Sequence, residues 1–349
     1  KSNKSLYRSF NLKLQNKLSP SSIQSILECH KKSLCWITEK YKIVRINSSF
    51  GESYKIDGIV LHSVLENLFD NNNESSTENI RKEVIKSYSD NGVSEPSIDL
   101  SQDRLYKTIN GVQNILSKVN EQFSVFDFET ILKEYEYIEN EEFTGIADLL
   151  FRGHKKSIIV DYKSGHVLDS EGQIKENFVT QMMLYGFLEI DEYGCEEVQL
   201  YILDSKGIVH KVDSTLEKIS KNLEFIRNKY KDFVDEKHPE CLIVNCVHCS
   251  IPHDCNNYLP PLSTETLNSI SGEFIELVEK GSKNKMNLKG LKKPYKNVNI
   301  SIYFDEPIFF SFEKSNLLTI NNLKFVRKNN EKLFFKADRF WNINLLEEK

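Results

Sequence analysis

Two short runs carry the residues best suited to chemistry. Gly145-Ile146-Ala147-Asp148 sets a carboxylate in an apolar strand. Asp161-Tyr162-Lys163-Ser164-Gly165 follows the apolar run Ile158-Ile159-Val160 and adds a second carboxylate and an ammonium. Charges on strands that should face a core are costly unless paired or bound to an ion. Side chains alternate along a strand, so Asp161 and Lys163 share a face. FTGIADLLF reads as one strand, RGHKKS as a loop and SIIVDYK as the next strand. A symmetric hairpin then sets Arg152 opposite Ser157, Leu150 opposite Ile159 and Asp148 opposite Asp161, with cross-strand Cβ atoms roughly 4.5–5.5 Å apart. Two carboxylates that close repel each other and lose solvation, and a divalent cation between them relieves both. Oxygen donors select a hard ion, Mg²⁺ or Mn²⁺. Such an ion acidifies a bound water and offsets charge on a phosphoryl group, and Lys163 adds a further positive charge. This is chemistry for cleaving a phosphodiester. The plain alternative is a surface hairpin with an ordinary ion pair.

Further residues fall in order around this pair. DGIVLHSVLENLF has Leu61, Val64, Leu65 and Leu68 at helical spacing, with His62 beside the stripe and Glu66 one turn on. Alone, His62 reads equally as a satisfied boundary residue. Gln181 and Tyr185 are four apart on a helical segment and share a face. Taken together, the helical His62, Gly145–Asp148, Asp161–Gly165 and Gln181–Tyr185 resemble the motif series of RecB-type PD-(D/E)XK nucleases. The resemblance implies a restriction-endonuclease-like mixed α/β sheet flanked by helices. It implies His62, Asp148, Asp161 and the Tyr162 carbonyl as metal ligands and Lys163 as catalytic. Gln181 and Tyr185 would orient Lys163 and the DNA backbone.

Seven cysteines in 349 residues do not make a dense disulfide framework, and the count is odd. Cys246-x-x-Cys249 and Cys255 lie in a short polar segment suited to a tetrahedral metal or an iron–sulfur cluster. On chemistry alone the fourth ligand is open among His248, His253, Cys241, Cys29 and Cys35. The chain resembles iron–sulfur members of the same branch (AddB-like and CRISPR-associated RecB-like nucleases), which pair one N-terminal cysteine with three C-terminal ones. That resemblance implies Cys29 with Cys246, Cys249 and Cys255 around a 4Fe-4S cluster, with structural Zn²⁺ as the competing occupant. Ser19 before Pro20 reads as the cap of the helix leading to Cys29.

The remaining elements follow from pattern. Residues 1–70 read as mostly helical, with an extended polar segment around Lys42–Tyr54. Residues 71–104 are polar and rich in breakers, and read as a loop or helical insert. A helix is expected over Leu105–Phe123, a strand over EEVQLYILD and an amphipathic helix over STLEKISKNLEFIRNKYKDFV. Pro260-Pro261 marks a boundary, dividing a nuclease domain (1–260) from a small all-β module (261–349). VNISIYF, PIFFSFE, LLTINNLKFV and KLFFKADRFW read as its strands, in an OB-like or similar barrel. Phe309, Phe310, Phe334, Phe335 and Trp341 are its candidate stacking residues, or else its core. The lysines at 280, 283, 285, 289, 292, 293 and 296 read as a phosphate-tracking strip or a solvated loop.

The net charge of −5 does not advertise nucleic-acid binding, so local clusters must supply it. No run is long and apolar enough to span a bilayer, no secretory signal is visible, and cysteine usage fits a reducing, cytoplasmic setting. No phosphate-binding P-loop is present. The resemblance implies a separate helicase or defence-complex partner. The expected activity is metal-dependent cleavage of DNA, as an exonuclease on single-stranded ends in repair, recombination or antiviral defence. The alternative is a non-catalytic nucleic-acid-binding or iron–sulfur scaffold subunit.

Overall fold

A computed structural model describes residues 17–29, 33, 41–47, 49–70, 76–93, 102–123, 128–235, 267–280, 283–291, 296–306, 308, 310–329 and 332–348. The chain divides into two compact units. One comprises Lys1–Gln24, Leu61–Val84 and Tyr106–Arg227; the other comprises Ser25–Val60, Ile85–Leu105 and Asn228–Lys349.

The six helices among the described residues are α1 (Pro20–Glu28), α2 (Ser49–Asp70), α3 (Thr77–Asp90), α4 (Gln102–Phe123), α5 (Glu176–Tyr193) and α6 (Leu216–Val234). Pro20 opens α1, and Ser19 Oγ accepts from the Ser22 N–H, as expected of a cap. In α2 the stripe Leu61, Val64, Leu65 and Leu68 is buried. The polar 71–104 segment contains a regular helix, α3, because Ile80, Val84 and Tyr88 recur at helical spacing and bury one face. The extended reading around Lys42–Tyr54 holds only for β1 (Tyr41–Asn47), since α2 begins at Ser49.

The first unit is built on a five-stranded sheet in the order β2 (Thr130–Tyr137), β3 (Gly145–Gly153), β4 (Lys156–Lys163), β5 (Glu197–Asp204), β6 (Val209–Val212). β4 and β5 run parallel and the other neighbours antiparallel. The β4–α5–β5 crossover supplies the helix that a parallel pair requires. β4 carries the apolar run Ile158-Ile159-Val160 and is almost wholly buried, as a strand covered on both faces must be. The β3–β4 connection is shorter than the expected six-residue loop. Only His154 and Lys155 turn, with Lys155 at φ +59°, and the strands extend to the pair Gly153↔Lys156. The register agrees with symmetry about that turn: Arg152↔Ser157 and Leu150↔Ile159.

A buried ion pair anchors α5 to this sheet. Glu189 is fully buried and receives Arg152 Nε and Nη2, each at 2.8 Å, Ser157 Oγ at 2.7 Å and Tyr137 Oη at 3.1 Å. Four donors leave the carboxylate well satisfied, which a charge at this depth requires.

The second unit holds the sheet of β1, β7 (Leu267–Lys280), β8 (Lys283–Gly290), β9 (Asn299–Phe304), β10 (Leu317–Asn329) and β11 (Lys332–Glu348). The strands β7 to β11 pair in the cyclic order β7-β8-β9-β11-β10 and back to β7, so the sheet closes on itself. The β9–β11 pairing is parallel, and β1 lies outside the ring on the C-terminal half of β11. Phe274, Met286, Leu288, Ile302, Phe335 and Trp341 are among the side chains filling the interior. Two strand readings are corrected. The described residues of PIFFSFE, 308 and 310–313, are irregular rather than a strand. Lys283–Gly290 is a strand rather than a loop, because Met286 and Leu288 alternate into the core beneath the lysines.

Candidate active site

The site gathers on β2, β3 and β4, with α2 and α5 supplying its other side chains. Regular pairing of β3 with β4 runs only as far as Leu149↔Val160. One step further, where Asp148 and Asp161 face each other in sequence register, a side chain replaces the ladder. The Tyr162 N–H donates to Asp148 Oδ2 at 2.6 Å. Asp148 Oδ1 lies 3.4 Å from His62 Nδ1.

Asp161 is buried and faces a different set of partners. Lys163 Nζ lies 2.6 Å from Asp161 Oδ2, and Gln181 Nε2 donates to Asp161 Oδ1 at 3.0 Å. Gln181 Nε2 also donates to Tyr185 Oη at 2.9 Å. The four-residue spacing of Gln181 and Tyr185 on α5 thus becomes one connected arm. Gly145 makes room for it. A Cβ there would sit 2.6 Å from Tyr185 Cε1, so only glycine lets the ring close against β3.

Sequence reasoning did not single out Glu134. It lies opposite Asp148 in the β2–β3 register, where a regular pair is missing between Lys133↔Leu149 and Tyr135↔Ala147. Its φ is +43°, in the left-handed region that a carboxylate-bearing residue enters at a cost of roughly 1–3 kcal/mol. That backbone turn aims Glu134 Oε1 to within 3.9 Å of His62 Nδ1. One ligand atom each from His62, Glu134 and Asp148 lie within 4.8 Å of one another. Asp161 is not a member of this trio. The only sequence signal for Glu134 is an acid on the strand that neighbours β3, which is too common to select it.

Burial and the clustered carboxylates shift two of the site's groups. Burial, reinforced by the charge of Asp148, pushes the Asp161 carboxyl up to about 7, although Lys163 and His62 pull the other way. Burial works against a charge on His62, but hydrogen bonds to Asp148 and Glu134 and the nearby carboxylate charges outweigh it and lift the imidazole to about 10. Asp161 Oδ2 also lacks a well-directed hydrogen bond despite the proximity of Lys163. Two carboxylates and an imidazole, with a third, under-satisfied carboxylate beside them, form a donor set that suits a hard divalent ion. His62 and Glu134 keep about a third of their side-chain surface exposed, so the trio is open to solvent.

The cluster residues divide. Cys29 follows α1, is half-buried, and its N–H donates to the Ser25 carbonyl at 3.1 Å. Cys246, Cys249 and Cys255 lie outside the described residues, as do the alternatives Cys35, Cys241, His248 and His253.

Residues 17–256 match the model of the PD-(D/E)XK nuclease superfamily, and the chain belongs to that superfamily. Nucleases of this superfamily are metal-dependent phosphodiester hydrolases using Mg²⁺ or Mn²⁺. None of the curated proteins matches the chain. Among solved structures, "Crystal structure of SSO0001" shares 16% identity, covering 58% of this chain and 98% of its own, with a TM-score of 0.30. "Structural mimicry for functional antagonism" shares 10% identity over 62% and 88%, with a TM-score of 0.20. "Molecular basis for abrogation of activation of pro-inflammatory cytokines" shares 11% over 63% and 89%, also with a TM-score of 0.20. No helix among the described residues is long and apolar enough to cross a membrane.

Proposed function

We propose that this protein is a catalytically active, metal-dependent deoxyribonuclease of the RecB-like branch, acting as an exonuclease on single-stranded DNA ends. The observation that carries the reading is the convergence of His62, Glu134 and Asp148 beside the Asp161–Lys163 pair. His62, Glu134 and Asp148 would hold the ion, with Asp161 and the Tyr162 carbonyl completing its surroundings. When bound, the ion acidifies water and offsets phosphate charge.

The chain's own groups do the rest. Lys163 is held by Asp161 and presents its ammonium where charge builds on the scissile phosphate. Gln181 fixes the Asp161 carboxylate through one oxygen and is itself braced by Tyr185. Hydrolysis joins water's oxygen to phosphorus and breaks a bridging P–O bond, and the departing oxygen takes up the proton.

The remaining assignments rest on the resemblance in sequence. A 4Fe-4S cluster on Cys29, Cys246, Cys249 and Cys255 would tie the start of the nuclease region to its end, with zinc as the competing occupant. A helicase or defence-complex partner, a role in repair, recombination or antiviral defence, and a cytoplasmic location belong to the same reading. For the closed five-stranded ring we propose an OB-like barrel, on the strength of its strand order and its parallel β9–β11 pair.

The test is release of nucleotides from end-labelled single-stranded DNA with Mn²⁺, run beside Asp161→Ala. Metal-dependent cleavage lost in the variant is the expected result. Equal, background-level signals from both proteins would leave only a nucleic-acid-binding or scaffold role. Visible absorbance with iron and zinc analysis of the purified protein decides the cluster.

A further inference from the structure

We infer that the outer face of the β9–β11 side of the barrel is a second binding site, for a single-stranded polynucleotide. The inference does not rest on the nuclease reading. Tyr303 on β9 and Phe334 on β11 point outward, and their rings lie nearly parallel, 12° apart, with centroids 6.5 Å from each other. Tyr303 keeps 39% of its surface exposed, high for an aromatic on a sheet whose inner face is a full core. Phe335 and Trp341, candidate stackers by sequence, are instead buried in that core.

Cations surround the pair. Arg327 on β10 lies over the Phe334 ring at 4.8 Å, and Lys332 Nζ lies 5.7 Å from the same centroid. Lys285 on β8 is the register partner of Tyr303, and Lys336 on β11 is its neighbour on the other side. Asp305, 2.8 Å from Lys336 Nζ, offsets one of these charges. Hydrophobic burial does not account for this aromatic pair, Tyr303 exposed and Phe334 half-buried, framed by four cations. A single strand offers what this face lacks: bases with π-faces for Tyr303 and Phe334, and phosphates at short intervals for Lys285, Arg327 and Lys332. A protein partner would need acids and apolar groups in the same alternation. A backbone of regular phosphates and unpaired bases provides that pattern intrinsically.

The experiment measures anisotropy of labelled oligo-dT and oligo-rU with the full chain in excess chelator, so that no cleavage intervenes. Tyr303→Ala and Phe334→Ala should each weaken binding roughly tenfold. Tyr303→Phe should bind like the parent, since the ring face is kept. Arg327→Ala and Lys332→Ala should each reduce the slope of log affinity against log salt by about 0.7. Binding of either oligonucleotide with this pattern supports the site and identifies the sugar it accepts. Tyr303 is exposed, so its alanine variant should fold, and thermal melting verifies this. Unchanged affinity in folded Tyr303→Ala, or displacement by heparin with no dependence on Tyr303, overturns the proposal. Loss of Mn²⁺-dependent cleavage would bear on the nuclease reading alone.

Discussion

The Tyr162 N–H and Asp148 Oδ2 meet at 2.6 Å where the β3–β4 ladder ends, so a single carboxylate both closes the hairpin and faces His62. The two roles separate by substitution. Asp148→Asn keeps an oxygen to accept from Tyr162 and should melt within a few degrees of the parent, while cleavage falls at least a hundredfold. Asp148→Ala strands the N–H and should cost a further roughly 1–3 kcal/mol. Urea unfolding of both variants checks this, and equal stabilities would contradict the structural role.

Gly145 is dictated by Tyr185, whose Cε1 would lie 2.6 Å from an added methyl group. Gly145→Ala should displace the ring and, through Gln181, loosen Asp161. Overpacking of this kind costs roughly 1–3 kcal/mol. Cleavage should fall more than stability alone explains, because the damage passes along the Tyr185–Gln181–Asp161 chain. The double variant Gly145→Ala/Tyr185→Leu should recover the stability but not the activity. Full recovery of cleavage would show that the arm is dispensable.

Much of this site was legible in the sequence because strand periodicity leaves little freedom. Once Asp161 and Lys163 lie on one strand, they must share a face, and the symmetric turn fixes Arg152 against Ser157. The four-residue spacing likewise dictated that Gln181 and Tyr185 meet. Glu134 was hidden because its place in the site depends on a left-handed backbone angle, and nothing in Lys133-Glu134-Tyr135-Glu136 marks which residue adopts it. β8 was hidden for another reason. Its lysines outnumber the two apolar side chains that carry the strand period, so charge masked the pattern. The run PIFFSFE is apolar enough for a strand, but its described residues pair with no neighbour in the sheet. Composition does not report pairing.

The strain at Glu134 makes a separable prediction. Glu134→Gly removes the cost of the positive φ together with the carboxylate. In chelator the variant should be as stable as the parent or more stable by up to about 1 kcal/mol. Its Mn²⁺-dependent cleavage should fall at least tenfold, with the metal concentration for half-maximal rate moved upward. Calorimetry and a metal titration measure the two effects. An unchanged metal requirement would remove Glu134 from the ion's surroundings.

Cys195 yields a pH dependence. The thiol is buried beside Glu189, and burial, with the Glu189 charge second, pushes it from 9.0 up to about 11. The folded chain therefore holds this proton after the unfolded chain has released it. Stability from this group is fully present below about pH 9 and declines as pH rises from about 9 to 11. Cys195→Ala removes the titrating thiol, while every lysine and tyrosine that also titrates there remains. Urea midpoints at pH 8, 9 and 10 should therefore fall more steeply for the parent than for the variant. The same burial should keep Cys195 unreactive toward iodoacetamide at pH 8.5 until urea unfolds the chain, because the thiolate is the reacting form. Parallel midpoint curves, or alkylation of Cys195 in the folded protein, would show that the thiol titrates as an exposed one does and that the Glu189 pocket is wetter than its hydrogen bonds imply.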